Sequence, residues 1–231
     1  MALLLHIETA TFNGSIAISR DNTLLDCREL RHGEKHIKTL APAVRSMLED
    51  LSLQLDDVSA VAVSAGPGSY TGLRIGLAFC KGICAALQIP LIAVPTLQII
   101  AEAVFAKHDC DLAIPMLDAR RLEVYYAVYD SAKNEVESAR SYILEPSGLS
   151  QYSGKSLVVA GNATHKAENI LSEGNFLFDQ SIELSAKHMV SVANEKHASG
   201  TFVNLSDFEP TYLKDFLIGK SNKIANILRG K

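Results

Sequence analysis

Two carboxylates stand where apolar strands run out into turns. Glu8 closes the run "LLLHIE" and is followed by Thr9; Asp118 closes "LAIPMLD", with Arg120 and Glu123 just beyond it. A carboxylate beside a hydroxyl at a strand end can hold magnesium and the phosphates of a nucleotide. Weak ATP or ADP binding at Glu8 and Thr9 is one expectation; a simple strand-end turn is the other. An acid at the second place could act as a general base. The alternative is a local ion pair among Asp118, Arg120 and Glu123 that orders the turn. The short turn "GNAT" (161–164) could approach an adenosine. His32 and His36, in "HGEKH", are four apart, but Gly33 breaks the H-E-x-x-H pattern of a zinc-binding helix. Helix-start polar residues or interface contacts are expected there in place of metal ligands.

The stretch "VSAGPGSYTGLRIGLAFCKG" (63–82) gathers five glycines around the end of an apolar run. Known phosphate loops fail on spacing. A Walker A loop requires lysine and a hydroxyl after its last glycine, and here Gly72 is followed by Leu73 and Arg74. Gly66, Gly68 and Gly72 give G-x-G-x-x-x-G, one residue longer than the dinucleotide fingerprint. A packing role fits better. Ser69 or Thr71 can cap a helix. From there Gly72, Gly76, Cys80 and Cys84 recur every four positions and share one face. Glycine in a helix interior costs roughly 0.8–1 kcal/mol relative to alanine, so close approach of something must offset it. The pattern leaves three candidates open: the protein's own sheet, a helix of another chain, or a ligand. Leu73, Leu77 and Ala78 flank the face.

These residues need a frame. Strands are expected at 3–8, 14–19 and 23–30, then a helix over 34–53 that Pro42 kinks or splits. A strand at 58–66, a helix over 69–88 stopped by Pro90, a strand at 90–94 and a helix over 96–108 complete the first half. The second half restarts with strands at 111–119, 122–130 and 135–144. A short helix at 146–152, a strand at 156–161 and helices at 163–172 and 185–198 follow. This faint β-β-β-α-β-α duplication predicts an α/β chain of two related lobes, 1–107 and 108–231, with a cleft between them.

The 231 residues are 48% hydrophobic and 21% charged, enough for a sizeable core. The net charge of −4 excludes an overall basic character, so any nucleic-acid contact is local or made through a partner. The tail carries Lys214, Lys220, Lys223, Arg229 and Lys231, read as a solvated end in preference to a nucleic-acid contact. None of the four cysteines forms a C-x-x-C pair. No apolar run approaches the roughly 18 residues of a membrane span, and a reduced cytoplasmic protein is expected.

Four segments, "IETAT", "SAGPGSYTGLRIGLAFCKGICAALQIPLIAVPTL", "LDARRLEVYYAVY" and "EPTYLK", together resemble the TsaB (YeaZ) family over most of the chain. That family is the bacterial dimerisation subunit of the machinery that makes threonylcarbamoyladenosine in tRNA. The resemblance implies the two-lobed actin-like fold of sugar kinases and Hsp70. It implies a non-catalytic subunit that pairs with a metal-bearing, TsaD-type catalytic paralogue, is joined by a TsaE-type ATPase, meets tRNA through the complex, and forms a homodimer when alone. A small-molecule kinase of the same fold is the alternative. The resemblance further implies a helical bundle at the interface, built from His36, Leu40 and Val44 on one helix and Ser69, Tyr70, Gly72, Leu73, Gly76 and Cys80 on the next. The paralogue holds its metal with a V-N-H-x-x-x-H segment. Here the matching stretch is "VPTLQII", which puts Thr96 and Ile100 at the two histidine positions. Neither supplies an imidazole nitrogen, so metal belongs on the partner and this chain has no intrinsic cofactor.

Overall fold

The computed structural model describes residues 2–30 and 36–214, with only the backbone of His36 and Ile37. Two five-stranded sheets share one topology. The first comprises β1 (Leu3–Glu8), β2 (Gly14–Arg20), β3 (Thr23–Leu30), β4 (Ala60–Ser64) and β5 (Leu91–Val94), in the order β3-β2-β1-β4-β5. The second comprises β6 (Leu112–Asp118), β7 (Glu123–Asp130), β8 (Glu135–Ile143), β9 (Leu157–Ala160) and β10 (Phe176–Asp179), in the order β10-β9-β6-β7-β8. In each, three antiparallel strands precede two added in parallel. The duplicated pattern read from the sequence is therefore a duplicated sheet. This is the two-lobed actin-like architecture.

Alternation along β1 shows how one sheet serves two layers. Leu3, Leu5 and Ile7 face α1 (His36–Asp50) and α2 (Tyr70–Leu87), where they meet Leu40, Val44, Met47, Leu77 and Cys80. Leu4 points the other way, into a layer with Ile92, Val94, Met189 and Ala193. Pro42 lies within α1, which runs on through it. The helix α3 (Thr96–Lys107) is apolar around its girth because it is covered on two sides. Its Ile99 joins the first sheet's layer, while Leu97, Ile100 and Val104 join the second sheet's.

The second half departs from expectation in three places. Residues 146–152 hold only a short 3-10 turn at Ser150–Tyr152, and the helix expected at 163–172 shortens to α4 (Thr164–Glu168). The strand β10 is absent from the expected elements. The chain does not stay with the second sheet: from Ser185 it crosses back to the first. There the turn Ala186–Met189 and α5 (Val190–Ala198) cover one face, and Val203 pairs with Leu91. Contrary to the reading of apolar runs, α2 is long and apolar enough to cross a bilayer. Its packing tells otherwise, since seven of its residues, from Gly72 to Cys84, are buried against the protein's own sheet.

Candidate functional site

The glycine face of α2 turns inward. Ser69 caps the helix, its hydroxyl accepting from Gly72 N at 3.2 Å. The turn after β1 crosses directly over this end, with Ser69 N donating to Ala10 O at 2.6 Å. A Cβ at Gly72 would overlap the Thr9 carbonyl, and one at Gly76 would overlap the Thr9 hydroxyl. Leu73, Cys80 and Cys84 continue the same face and have no exposed surface. The thin side of α2 thus exists so that β1 and its turn can lie against it. Gly72, Leu73, Gly76 and Cys80, expected to meet another chain, are instead packed inside against the chain's own sheet and turn, and Val44 lies in the core between α1 and the sheet. Leu40 shares that core but also borders the open side of α2.

The opposite side of α2 is open. Tyr70, Thr71, Arg74, Ile75, Ala78 and Phe79 line an apolar groove whose floor is Leu40 of α1. Further along, Gly82 is exposed and a Cβ there would meet nothing within 4 Å. At one end of the groove Arg74 lies over the Tyr70 ring at 4.0 Å, and its Nε donates to the Tyr212 hydroxyl at 3.1 Å. The Tyr70 and Tyr212 ring centroids are 5.0 Å apart. Aromatic residues and arginine next to an apolar floor are the composition of protein interfaces. Of the predicted interface set, Leu40 and Tyr70 line this groove. Ser69 is exposed, but its side chain is committed to the cap. His32 and the side chain of His36 lie outside the described residues. The outward set was legible in principle, because Thr71, Ile75, Ala78 and Gly82 are also spaced three or four apart.

Glu8 and Thr9 are sealed, which corrects the expectation of a nucleotide contact. Both have no exposed surface. One Glu8 carboxyl oxygen accepts from Ala10 N, while Oε2 and the Thr9 hydroxyl have no hydrogen-bond partner. Burial pushes the Glu8 pKa up to about 8, so at neutral pH it is a carboxylic acid. A neutral, enclosed acid is a poor ligand for a magnesium–phosphate group. Thr96 is also buried and accepts from Gly66 N at 3.1 Å, and Ile100 is packed in the core. Among the described residues no group of three histidine, cysteine or acidic side chains is placed to hold a metal.

The cluster at Asp118 is built differently from the expected pairing. Asp118 pairs with Lys166 at 2.7 Å and accepts from the Arg120 backbone N at 2.6 Å, while Glu123 pairs with Lys214. Partial burial acts to raise Asp118, but the Lys166 and Arg120 hydrogen bonds outweigh it and hold the carboxyl below its usual range. Hydrogen bonds from Lys214 and Ser141 lower Glu123 likewise. Both acids are ionised, lysine-bound anchors of the β6–β7 turn. In the "GNAT" turn, Asn162 accepts from Asp118 N at 2.8 Å, which ties that turn to the same corner.

Comparison with known proteins accords with this geometry. Residues 31–179 match the family model described as TsaD, tRNA N6-adenosine threonylcarbamoyltransferase. The tRNA threonylcarbamoyladenosine biosynthesis protein TsaB of Escherichia coli is 30% identical over 219 residues, covering 92% of this chain and 94% of the relative. Its Bacillus subtilis counterpart is 36% identical over 126 residues, 54% of each chain. Among solved structures, YeaZ from Pseudomonas aeruginosa superposes with a TM-score of 0.82 at 27% identity, covering 92% of this chain and all of that one. Component A of Acidaminococcus fermentans (R)-2-hydroxyglutaryl-CoA dehydratase, 10% identical with a TM-score of 0.52 over 86% of this chain, shares the fold. With a relative of this identity matched almost end to end, and a shared three-dimensional structure, the chain belongs to the TsaB (YeaZ) family.

Proposed function

We propose that the chain is a non-catalytic subunit in the formation of threonylcarbamoyladenosine in tRNA. In this reading it docks through the α1–α2 groove onto a metal-bearing TsaD-type paralogue, pairs with a second copy of itself when alone, and works in the cytoplasm beside a TsaE-type ATPase. The observation that carries the reading is the groove itself: an apolar floor at Leu40, Ile75 and Phe79 with a Tyr70–Arg74–Tyr212 stack at its end. The family's name for its members, and the match to the TsaD family model, supply the pathway. Chemistry is assigned to the paralogue because the positions that would hold a metal are Thr96 and Ile100, both buried and already engaged. The kinase alternative is not favoured, since its acid, Glu8, is enclosed and protonated.

Reconstitution tests this. The purified chain, supplied with threonylcarbamoyl-adenylate and unmodified tRNA, should transfer nothing by itself and should restore transfer when added to the paralogue. Transfer by the chain alone would overturn the non-catalytic assignment. Unaltered activity of the paralogue with and without the chain would overturn the partnership.

A further inference from the structure

The tip of the β6–β7 hairpin carries positive charge on residues that do not line the groove. Arg120 and Arg121 stand there in succession at φ 74° and φ 50°. Left-handed backbone suits glycine and asparagine in preference to residues with long side chains. The turn is closed by backbone hydrogen bonds and by the Asp118 carboxylate, which accepts from Arg120 N. Ala119 N donates to Glu123 O at 3.1 Å, and Glu123 N donates to Arg120 O at 3.1 Å. Neither guanidinium takes part in a hydrogen bond or ion pair with the described residues, and both arginines are exposed. The turn therefore gains nothing from their side chains, and their backbone is strained.

The neighbouring acids do not compensate them. Asp118 is matched by Lys166 and Glu123 by Lys214, and the same two lysines also donate to the Glu123 and Ala119 carbonyls, each at 3.1 Å. Four cations against two carboxylates leave this corner at about +2 on a chain whose net charge is −4.

We infer that the Arg120–Arg121 tip, braced by Lys166 and Lys214, binds the phosphate backbone of RNA. The inference rests on the proposed role in tRNA modification and gives this chain its own contact with the nucleic acid. Guanidinium is always charged, and its planar fork matches two phosphate oxygens. Pairing at the base of the hairpin fixes the backbone that carries both arginines, which lowers part of the ordering cost of binding. Leu122 and Ile143 are exposed beside the arginines, but two apolar side chains amid four cations do not make the apolar core that a protein contact needs.

The test is fluorescence anisotropy of the full-length chain with a labelled RNA stem-loop, alone and with the paralogue, across a salt series. R120N/R121G should weaken binding by about tenfold or more. It should also flatten the plot of log affinity against log salt by about 1.4–1.8, or about 0.7–0.9 for each phosphate left without its arginine. The same variant should melt at an equal or higher temperature, because asparagine and glycine accept the left-handed backbone. R20Q/K155Q removes the same charge from two exposed positions elsewhere and should change binding less than about twofold. Equal losses in the two double variants would overturn the site, as would unchanged RNA binding in R120N/R121G or no RNA binding by the wild type in either setting. Intact RNA binding together with failed protein association would also overturn it and reassign the arginines to an acidic protein. Paralogue association in R120N/R121G is expected to match the wild type. A chain that binds RNA through these arginines but never binds the paralogue would sink the proposed function and leave this site standing.

Discussion

Glu8 and His6 sit two residues apart on β1, both without exposed surface, and they pull stability in opposite directions with pH. Burial raises Glu8 from 4.5 to about 8 and lowers His6 from 6.5 to about 3. The folded state therefore keeps both neutral. For Glu8, stability is fully present below pH 4.5 and is lost as pH rises toward 8. For His6, it is present above pH 6.5 and is lost as pH falls toward 3. Where only one group titrates, the slope is on the order of 1.4 kcal/mol per pH unit; between 4.5 and 6.5 the two cancel. Glu8→Gln should remove the loss between pH 6.5 and 8, as read by chemical denaturation at several pH values. A wild type and variant that decline in parallel over that window would show that Glu8 is not held neutral. The sequence displayed these residue types but not their enclosure. A glutamate at a strand end reads as a cleft residue until the glycine face of α2 is known to lie on it.

Two glycines of α2 separate its inner and outer sides. Gly76 faces the Thr9 hydroxyl, whereas Gly82 faces open space. Gly76→Leu should therefore destabilise the fold, by about 1–3 kcal/mol or more for overpacking a closed core. Gly82→Ala should stabilise the isolated chain by roughly 0.8–1 kcal/mol, the helix-interior cost of glycine. Thermal melts of the two variants in opposite directions are expected, and a stable Gly76→Leu would remove the inward assignment. Spacing revealed that one side of this helix is thin. It could not reveal which side, because α2 is apolar nearly all round, with Leu73 and Leu77 inside and Ile75 and Phe79 outside. A helix of that kind is covered on both sides, and here the sheet covers one and leaves the groove.

At the scale of the molecule, the duplication was legible because β1 and β6 are apolar runs that end in an acid, cross a short turn and enter a second strand. The strand β10 offers no such signal: its four residues form a partly exposed edge without alternation. The return of the chain to the first sheet was invisible for a related reason. The helix α5 buries only Val190, Val192 and Ala193, too few to mark a face. That return nevertheless closes the fold, with Met189 fully enclosed among Leu4, Ile92 and Val94. Met189→Ala should cost about 2–5 kcal/mol, measured by denaturant unfolding, and a loss below about 1 kcal/mol would show that the C-terminal segment merely decorates the sheet.

The central claim is that the outer side of α2 is a seat for another polypeptide. Light scattering of I75E/A78E, alone and mixed with the TsaD-type paralogue, tests it most directly. Ile75 is half-buried and Ala78 exposed in the isolated chain. The variant should keep the wild-type circular dichroism yet run at monomer mass and fail to join the paralogue, while the wild type self-associates and forms the mixed complex. A variant that associates like the wild type would contradict the account.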